Sequence, residues 1–289
     1  MVGRVREYSL YDGLVVETDL DPAQQPFLDH HRIDGTPVLP GVMGLEAMAE
    51  AARLPFPDLH VAALEDVAFH APFKFYRDEP RTLTVNVTYE ADGGDVVADC
   101  QVSGERTLVG RDEPERTVHF TGRVRLRGGG AEDGRIRKIP GATEDMVGSA
   151  DIYDTYFHGP AYRVLEGAWR SEDLVAGLFA SDLPPNHEPA DRPMLAAPRL
   201  VELAFQTAGL VEIASAERMG LPQAFERLEL LKAGEGEVES AALARPAGEG
   251  VFDVDVTDAT GHVVLSLKGY RTSALPGTVR GGVFRVLRV

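Results

Sequence analysis

The chain has 289 residues, 44% of them hydrophobic, and a formal net charge of −17 at pH 7. This length and apolar content suffice for one large domain or for two fused small ones with a sizeable core. The negative charge argues against nucleic acid and against an anionic membrane surface as partners. The single cysteine, Cys100, excludes an internal disulfide and a cysteine-based zinc site. No apolar run approaches the length of a membrane span and the N-terminus has no signal-peptide core, so we expect a cytoplasmic protein.

The first part of the chain predicts antiparallel strands around one helix. Residues 4–20 alternate loosely and predict one or two strands, broken at the hairpin-turn signal Asp12-Gly13. Residues 43–52 form an apolar run that predicts the first long helix, and residues 61–126 predict further strands. Residues 128–142 begin with three glycines and predict a linker.

The second part of the chain repeats this outline. Residues 45–52 can be laid over residues 201–208, and apolar and acidic positions coincide throughout. Such an internal repeat indicates two copies of one supersecondary unit. We therefore predict a first unit over residues 1–127, a second over 143–277 and a tail over 278–289. In the second unit a long helix is predicted over 200–214, and strands are predicted over 153–162, 167–180, 224–231, 237–245, 251–257 and 262–271.

The segment from residue 28 to residue 52 contains the strongest candidate site, built from His31, Gly35, Pro40 and Gly41. Histidine exchanges a proton most readily near neutral pH. Gly35 allows backbone to approach backbone, or a ligand, closely. Pro40 suits the start of a helix, where Gly41 offers a free N–H group at the positive end of the helix dipole. A base beside such a terminus is suited to removing a proton next to a carbonyl.

The pattern His31-x-x-x-Gly35-x-x-x-x-Pro40-Gly41 resembles the dehydratase domains of polyketide, polyunsaturated-fatty-acid and enediyne synthases. It is also similar to free-standing 3-hydroxyacyl-carrier-protein dehydratases. The segment 156–162 resembles the family motif Tyr-x-x-Gly-Pro-x-Phe/Tyr, and the resemblance extends over roughly residues 5 to 275. It implies an α+β double-hotdog fold, in which each long helix is wrapped by antiparallel sheet and the two sheets join edge to edge.

Gln206 matches the family's Asp-x-x-x-Gln helix, but two residues depart from the pattern. The usual catalytic Asp is Glu202, which adds one methylene of reach, and the His-Pro that commonly precedes it is Ala197-Pro198. Glu46 holds the position equivalent to Glu202 in the first unit, and we interpret it as a half-exposed edge residue.

The resemblance implies dehydration of a 3-hydroxyacyl thioester to the 2-enoyl thioester, with His31 as base and Glu202 as acid. The N–H of Gly41 would donate to the thioester carbonyl, and Gln206, one turn beyond Glu202, would orient the carboxylate. Tyr162 would line the substrate tunnel or bind the leaving hydroxyl, and Gly35 and Pro40 complete the expected substrate-binding set. An apolar pocket is expected to raise the pKa of Glu202 by desolvation. His30 is expected to pack or to face solvent.

No metal or redox cofactor is implied, because an acid–base pair suffices. The substrate would arrive on the phosphopantetheine arm of an acyl carrier protein. Other synthase domains and a second copy of the chain, forming a homodimer, are further expected partners. A cluster of basic residues is a candidate docking surface for an acidic carrier protein; its members are Arg123, Arg125, Arg127, Arg135, Arg137 and Lys138. The arginines of the tail, Arg280, Arg285 and Arg288, are a second candidate.

Two other classes of function stay open at this point. A hotdog thioesterase or double-bond isomerase shares the fold and the acidic helix but lacks the His-Gly-Pro-Gly framework. A non-catalytic acyl-binding domain of a synthase gains weight from the replacement of Asp by Glu202. Product analysis separates the first class, and acyl binding without turnover would identify the second.

Overall fold

We describe a computed structural model of the chain, in which residues 1–9, 12–106, 113–129, 134–231, 240–275, 279 and 282–289 are placed. The first half contains β1 (Arg4–Ser9), β2 (Gly13–Leu20), α1 (Pro26–Asp29), β3 (Arg32–Ile33), β4 (Thr36–Pro37), α2 (Gly41–Arg53), β5 (His60–Phe69), β6 (Arg81–Asp92), β7 (Asp95–Arg106) and β8 (Glu115–Arg127). The second half contains β9 (Val147–Gly148), α3 (Ser149–Thr155), β10 (Leu165–Ser171), β11 (Leu174–Phe179), α4 (Pro198–Ala216), β12 (Gly220–Leu230), β13 (Ala241–Gly248), β14 (Val251–Thr257) and β15 (Val263–Ala274).

Thirteen of these strands form one sheet in the order β1-β2-β6-β7-β8-β5-β12-β15-β14-β13-β11-β10-β9. All of its pairings are antiparallel, and the two halves meet where β5 pairs with β12, with Leu64 opposite Leu228. The strand β5 follows α2 and β12 follows α4, and these two helices contain the segments that the internal repeat makes equivalent. The α+β double hotdog with its sheets joined edge to edge is therefore confirmed.

The two long helices lie at the centre of the fold. Every residue of α2 from Val42 to Ala52 is buried, and α4 is buried along most of its length. The helix α2 contacts β5 to β8, α4 contacts β10, β11, β13 and β14, and the two helices contact each other. A helix that is buried on all sides belongs to the core rather than to the surface, which explains why both helices carry so many apolar residues.

The predicted strand over residues 153–162 is wrong. Its first part belongs to α3, and Pro160–Tyr162 forms a short 3-10 helix. Tyrosine and phenylalanine favour strands in general, but here Ile152 and Tyr156 are both buried and lie four residues apart, which is helical spacing. The hydroxyl of Tyr156 donates to the carbonyl of Gln206 at 2.9 Å, so contacts with α4 decide the local structure.

The predicted boundaries of the two units, the linker and the tail stay predictions. The strand β8 ends at Arg127 and β9 begins at Val147. Part of the predicted tail forms the 3-10 helix Val283–Leu287, whose Phe284 and Leu287 are buried in the core. Of the predicted strand 237–245, residues 237–239 lie outside the described residues, and residues 241–245 fall within β13.

The predicted basic docking surface carries little free positive charge, because five of its six members are paired with carboxylates. The pairs are Arg123–Asp66, Arg125–Glu65, Arg127–Asp95, Arg135–Glu229 and Arg137–Asp255. Neighbouring strands supply both partners of each pair inside the first unit, so this side of the sheet is largely neutralised. We do not retain it as a docking surface. In the tail, Arg285 pairs with Glu217, and Arg280 lies outside the described residues.

Candidate active site

The histidine segment folds as a small hairpin that fixes the imidazole of His31. Strands β3 and β4 form the hairpin, and its turn residues Asp34 and Gly35 have positive φ angles of 50° and 76°. The amide of Val38 donates to the carbonyl of His31 at 2.9 Å, and the carbonyl of Val38 accepts from Nδ1 of His31 at 2.8 Å. Because a carbonyl only accepts, Nδ1 carries the proton and Nε2 keeps a lone pair.

The surroundings of His31 favour a neutral base. The side chain lines a cavity but is almost wholly buried. Burial lowers the pKa of His31 to about 4, and the neighbouring His158 acts in the same direction, while the Glu202 carboxylate acts against it. His31 is therefore uncharged at neutral pH and can accept a proton at Nε2.

The second unit supplies the segment that faces this hairpin. His31 and His158 form an isolated antiparallel bridge. The N–H of Gly159 donates to the carbonyl of His30 at 2.7 Å, and the N–H of Ala161 donates to Nδ1 of His30 at 3.2 Å. A Cβ atom on Gly159 would lie 2.9 Å from the Cα of His30, so this approach requires glycine. His30 therefore packs on the second unit and helps to hold His31 in place.

Both units line one open cavity with a volume of about 200 Å³. It contains His31, Gly41, Glu202 and Gln206, so the structure brings the proposed base and the proposed acid to one space. Its aromatic wall consists of Phe69, Phe120, Tyr156, Phe157, Phe205 and Tyr270. A few convergent polar groups in an apolar cleft are typical of a site for a small organic ligand.

Helix α4 presents Glu202 to this cavity, and Gln206 lies one turn later on the same face. Nε2 of Gln206 donates to Oε1 of Glu202 at 2.9 Å and to the carbonyl of Tyr162 at 2.9 Å. Oε1 of Gln206 accepts from the hydroxyl of Tyr153 at 2.8 Å. The amide of Gln206 is thus fixed on both sides and donates to the carboxylate of Glu202.

His158 was not among the predicted site residues, yet it lies against Glu202. Nε2 of His158 is 3.1 Å from Oε1 of Glu202, and the ring centroids of His158 and His31 are 5.5 Å apart. His158 occupies an unspecified position of the Tyr-x-x-Gly-Pro motif. Its place inside a motif segment was the only sequence signal that could have drawn attention to it.

The expectation that the pKa of Glu202 is raised is wrong. Burial does raise it, but hydrogen bonds from His158 and Gln206 to the carboxylate act against burial. Together they hold the pKa of Glu202 below its usual value. The apolar residues of α4 predicted only the desolvation of Glu202. The donor His158 lies far from Glu202 in the sequence, so the local pattern did not reveal it.

The other predicted site residues differ in how close they come to the cavity. Gly41 is the first residue of α2 and lines the cavity, and its N–H has no acceptor within the helix. Pro40 precedes it as the N-cap with a φ of −57°. Tyr162 is fully buried behind His31, with ring centroids 6.3 Å apart, and Gly35 belongs to the hairpin turn. Pro40, Tyr162 and Gly35 are outside the described lining of the cavity.

The interpretation of Glu46 as a half-exposed residue is wrong, because its side chain is fully buried. Its carboxylate accepts hydrogen bonds from the N–H groups of Leu195 and Ala196, each at 2.7 Å. Burial raises the pKa of Glu46 to about 7, although the same two N–H groups act against the rise. Glu46 of the first unit therefore fixes the segment that leads into α4, the helix that carries Glu202.

Among the residues that the structure describes, no three or more His, Cys, Asp or Glu side chains are grouped so as to hold a metal ion. Within the same described residues, every helix is too short or too polar to cross a membrane.

A histidine from one hotdog unit and a carboxylate from the other, facing one cavity, define the dehydratase class of double-hotdog proteins. A family model described as the polyketide synthase dehydratase domain matches residues 2–103. A second, described as the polyketide synthase dehydratase N-terminal domain, matches residues 142–281. The chain belongs to the polyketide synthase dehydratase family, whose members are hydro-lyases that act on 3-hydroxyacyl thioesters.

Individual relatives agree with this assignment. Polyketide synthase ThaG of Burkholderia thailandensis is 28% identical over 274 residues, which cover 90% of this chain but 4% of that synthase. A trans-AT polyketide synthase dehydratase domain from Brevibacillus brevis shares the fold, with a TM-score of 0.77, 21% identity and coverage of 95% of this chain and 97% of that one. The dehydratase domain from the CurF module of the curacin polyketide synthase does so with a TM-score of 0.76, 17% identity and coverage of 95% and 98%.

Proposed function

We propose that this chain dehydrates a 3-hydroxyacyl thioester to the 2-enoyl thioester, with His31 as the base and Glu202 as the proton donor. The observation that supports this assignment most strongly is the shared cavity. The two side chains come from different units, and both line one apolar space in which the lone pair of His31 is held free by the Val38 carbonyl.

Removal of the α-proton is the first half of the chemistry. Nε2 of His31 accepts the proton, and charge develops on the thioester oxygen as the Cα–H bond breaks. The N–H of Gly41 donates to that oxygen, and the positive end of the α2 dipole stabilises the same charge. The N–H group and the helix dipole are both in place before the substrate binds, so no reorganisation is needed during the reaction.

Departure of the β-hydroxyl is the second half. The oxygen leaves as water when Glu202, oriented by Gln206, delivers a proton to it. The reaction takes one proton from carbon and gives one to oxygen. Transfer of the proton from His31 back to Glu202 therefore returns both side chains to their starting protonation states. The reaction is redox-neutral, and the proposal includes no metal or organic cofactor.

The proposal also includes partners. The substrate would be carried on the phosphopantetheine arm of an acyl carrier protein, within a larger cytoplasmic synthase and as a homodimer. The support is that the curated relatives are long polyketide synthases, of which this chain matches only a short part. The open mouth of the cavity would admit an extended arm.

The test uses purified His31→Ala and Glu202→Ala variants and a 3-hydroxyacyl pantetheine thioester. We expect each substitution to lower kcat/KM by about 10²–10⁴-fold, the usual contribution of a general acid or base. Circular dichroism should show an unchanged fold. His262→Ala is the control, because His262 is exposed at the turn between β14 and β15. Near-normal turnover by either cavity variant would contradict the assignment.

The products of the unmodified chain separate the remaining classes of function. A dehydratase yields the 2-enoyl thioester, a thioesterase releases the free acid, and an isomerase acts on an enoyl thioester without loss of water. Tight binding of the acyl thioester without turnover would identify a non-catalytic acyl-binding domain.

A further inference from the structure

Tyr270 brings a hydroxyl group to the inner wall of the cavity that the proposed mechanism does not use. Its side chain lines the cavity and is only 1% exposed. Its ring stacks on Phe205 with centroids 4.5 Å apart and an angle of 4° between the planes, so the ring is held in one orientation. Among the residues that the structure describes, none forms a hydrogen bond with the hydroxyl of Tyr270.

This hydroxyl faces free space rather than packed atoms. The unbonded polar atoms that are sealed off by the surrounding protein include Nε2 of His119 and Nδ1 of His158, but not the hydroxyl oxygen of Tyr270. Ser273, three residues later on β15, is exposed where the cavity opens, so Tyr270 lies deeper on the same strand. The hydroxyl therefore points into the interior of the cavity.

A buried hydroxyl without a partner is unfavourable, because it has given up its hydrogen bonds to water. Phenylalanine would stack on Phe205 in the same way without this cost. The other tyrosine of the inner wall, Tyr156, is different, because its hydroxyl donates to the carbonyl of Gln206 at 2.9 Å. The hydroxyl of Tyr270 therefore indicates a polar partner that enters the cavity from outside.

The charge of that partner is limited by the surroundings. Burial raises the pKa of Tyr270 well above its usual value, and the Glu202 carboxylate acts in the same direction. Tyr270 is therefore a neutral phenol that donates its O–H. An anionic partner would be repelled by the carboxylate of Glu202, so the partner is an uncharged oxygen such as a hydroxyl or carbonyl group.

The proposed mechanism also sets the direction of the acyl chain. The thioester oxygen lies at Gly41 and the α-carbon at His31, and both residues belong to the first unit. The β-oxygen lies at Glu202 in the second unit. The chain beyond the β-carbon therefore continues along the second unit, where Phe205 and Tyr270 line the cavity.

The distance along the chain follows from the helix and from the stacked rings. Phe205 lies three residues after Glu202 on α4, so the two side chains are neighbours on the helix surface. Tyr270 lies one ring beyond Phe205. In an acyl chain assembled from two-carbon units, oxygen atoms occur on alternate carbons, so the first oxygen beyond the 3-hydroxyl is on C5.

We propose that Tyr270 donates a hydrogen bond to an oxygen on C5, so that this chain selects 3-hydroxyacyl thioesters that also carry a hydroxyl or carbonyl group on C5. This inference rests on the proposed function and narrows its substrate class. Tyr270 contacts the acyl chain away from the reacting atoms, so it determines specificity and takes no part in the proton transfers.

The experiment compares two pantetheine thioesters of nearly equal size, 3,5-dihydroxyhexanoyl and 3-hydroxy-5-methylhexanoyl, in which a methyl group replaces the C5 hydroxyl. Each C5 epimer of the dihydroxy substrate is assayed separately, and its spontaneous lactone formation is measured without protein and subtracted. We expect the unmodified chain to prefer one dihydroxy epimer by about 10-fold in kcat/KM, the usual contribution of one neutral hydrogen bond.

Tyr270→Phe retains the ring that stacks on Phe205 and removes only the hydroxyl. We expect this variant to reduce the preference to within about 2-fold of equality. Tyr8→Phe is the matched control, because it makes the same chemical change at a side chain of β1 that is 60% exposed. It should keep the preference of the unmodified chain, and circular dichroism should show the same fold in all three proteins.

Equal kcat/KM values for the two substrates in the unmodified chain would show that the hydroxyl holds only water and would overturn the inference. A preference that Tyr270→Phe retains would overturn it as well. Calorimetric affinities for the two 2-enoyl products give a readout without turnover: the 5-hydroxy enoyl thioester should bind more tightly than the 5-methyl one, and Tyr270→Phe should remove the difference. If neither substrate yields an enoyl product, the proposed function fails, and these affinities still decide whether Tyr270 recognises a C5 oxygen.

Discussion

The imidazole of His31 illustrates how single contacts prepare a side chain for its task. Its Nδ1 proton is committed to the Val38 carbonyl at 2.8 Å, and burial lowers its pKa to about 4. The neutral form is the base, so a lowered pKa preserves activity as the pH falls. An ordinary histidine with a pKa of 6.5 would already be half protonated at pH 6.5.

We therefore predict that kcat/KM keeps its value as the pH is lowered through 6.5 and falls only as the pH approaches about 4. The measurement is the initial rate of enoyl formation across this range. Circular dichroism at each pH separates loss of the base from acid unfolding. A half-maximal loss near pH 6.5, with the fold intact, would show that His31 is not desolvated when the free enzyme meets its substrate.

Spacing along the chain was informative where the residues concerned are close in sequence. Pro40 and Gly41 predicted a helix start soon after His31, and Gln206 lies one helical turn from Glu202, so their proximity followed from local spacing. The hairpin that holds His31 was not predicted. Sequence reasoning also failed for His158 and for the pKa of Glu202. Their contact joins a loop to a helix far along the chain, and no local pattern encodes it.

At the scale of elements, the hairpin of the first unit and the loop of the second must approach closely for the cavity to form. Gly159 allows this, because a Cβ there would lie 2.9 Å from the backbone of His30. The φ of Gly159 is −80°, which any residue adopts, so an added methyl group would act through its contact rather than through backbone strain.

We predict that Gly159→Ala lowers the free energy of unfolding by about 1–3 kcal/mol, the usual cost of forcing a methyl group into a packed contact. It should also lower kcat/KM, because His31 and His158 would move apart. Gly148→Ala is a matched control: its φ is −81°, and a Cβ there meets nothing within 4 Å. Urea unfolding and initial rates measure both effects. Equal stability and activity of the two variants would contradict this account.

The strands of the sheet were largely predictable from alternation, since one face of each packs on a helix and the other does not. The segment 153–162 was not, because its aromatic residues favour strands and contacts with α4 override that preference. The repeat predicted two equivalent helices, yet Glu46 and Glu202 have different partners. Two backbone N–H groups bind the first, whereas an imidazole binds the second.

At the scale of the molecule, one continuous sheet and one buried carboxylate join the two halves. Strands β5 and β12 pair at the centre of the sheet, and Glu46 of α2 binds the segment that precedes α4. Removing a buried acceptor leaves its donors unsatisfied, at a cost of about 1–3 kcal/mol for each. A substitution that removes the Glu46 carboxylate from the first half should therefore also lower the stability of the second half.

The single tryptophan, Trp169, is buried in β10 and reports only on the second half. We predict that Glu46→Ala lowers the free energy of unfolding by about 3 kcal/mol, with the Trp169 fluorescence and the far-UV circular dichroism shifting together in urea. Glu90→Ala, on the exposed face of β6, should leave both transitions in place.

Coincident transitions mean that the halves unfold as one unit, which a site shared between them requires. If Glu46→Ala moves the circular dichroism but leaves the Trp169 transition unchanged, the halves are independent, and the buried carboxylate does not couple α2 to the helix that carries Glu202.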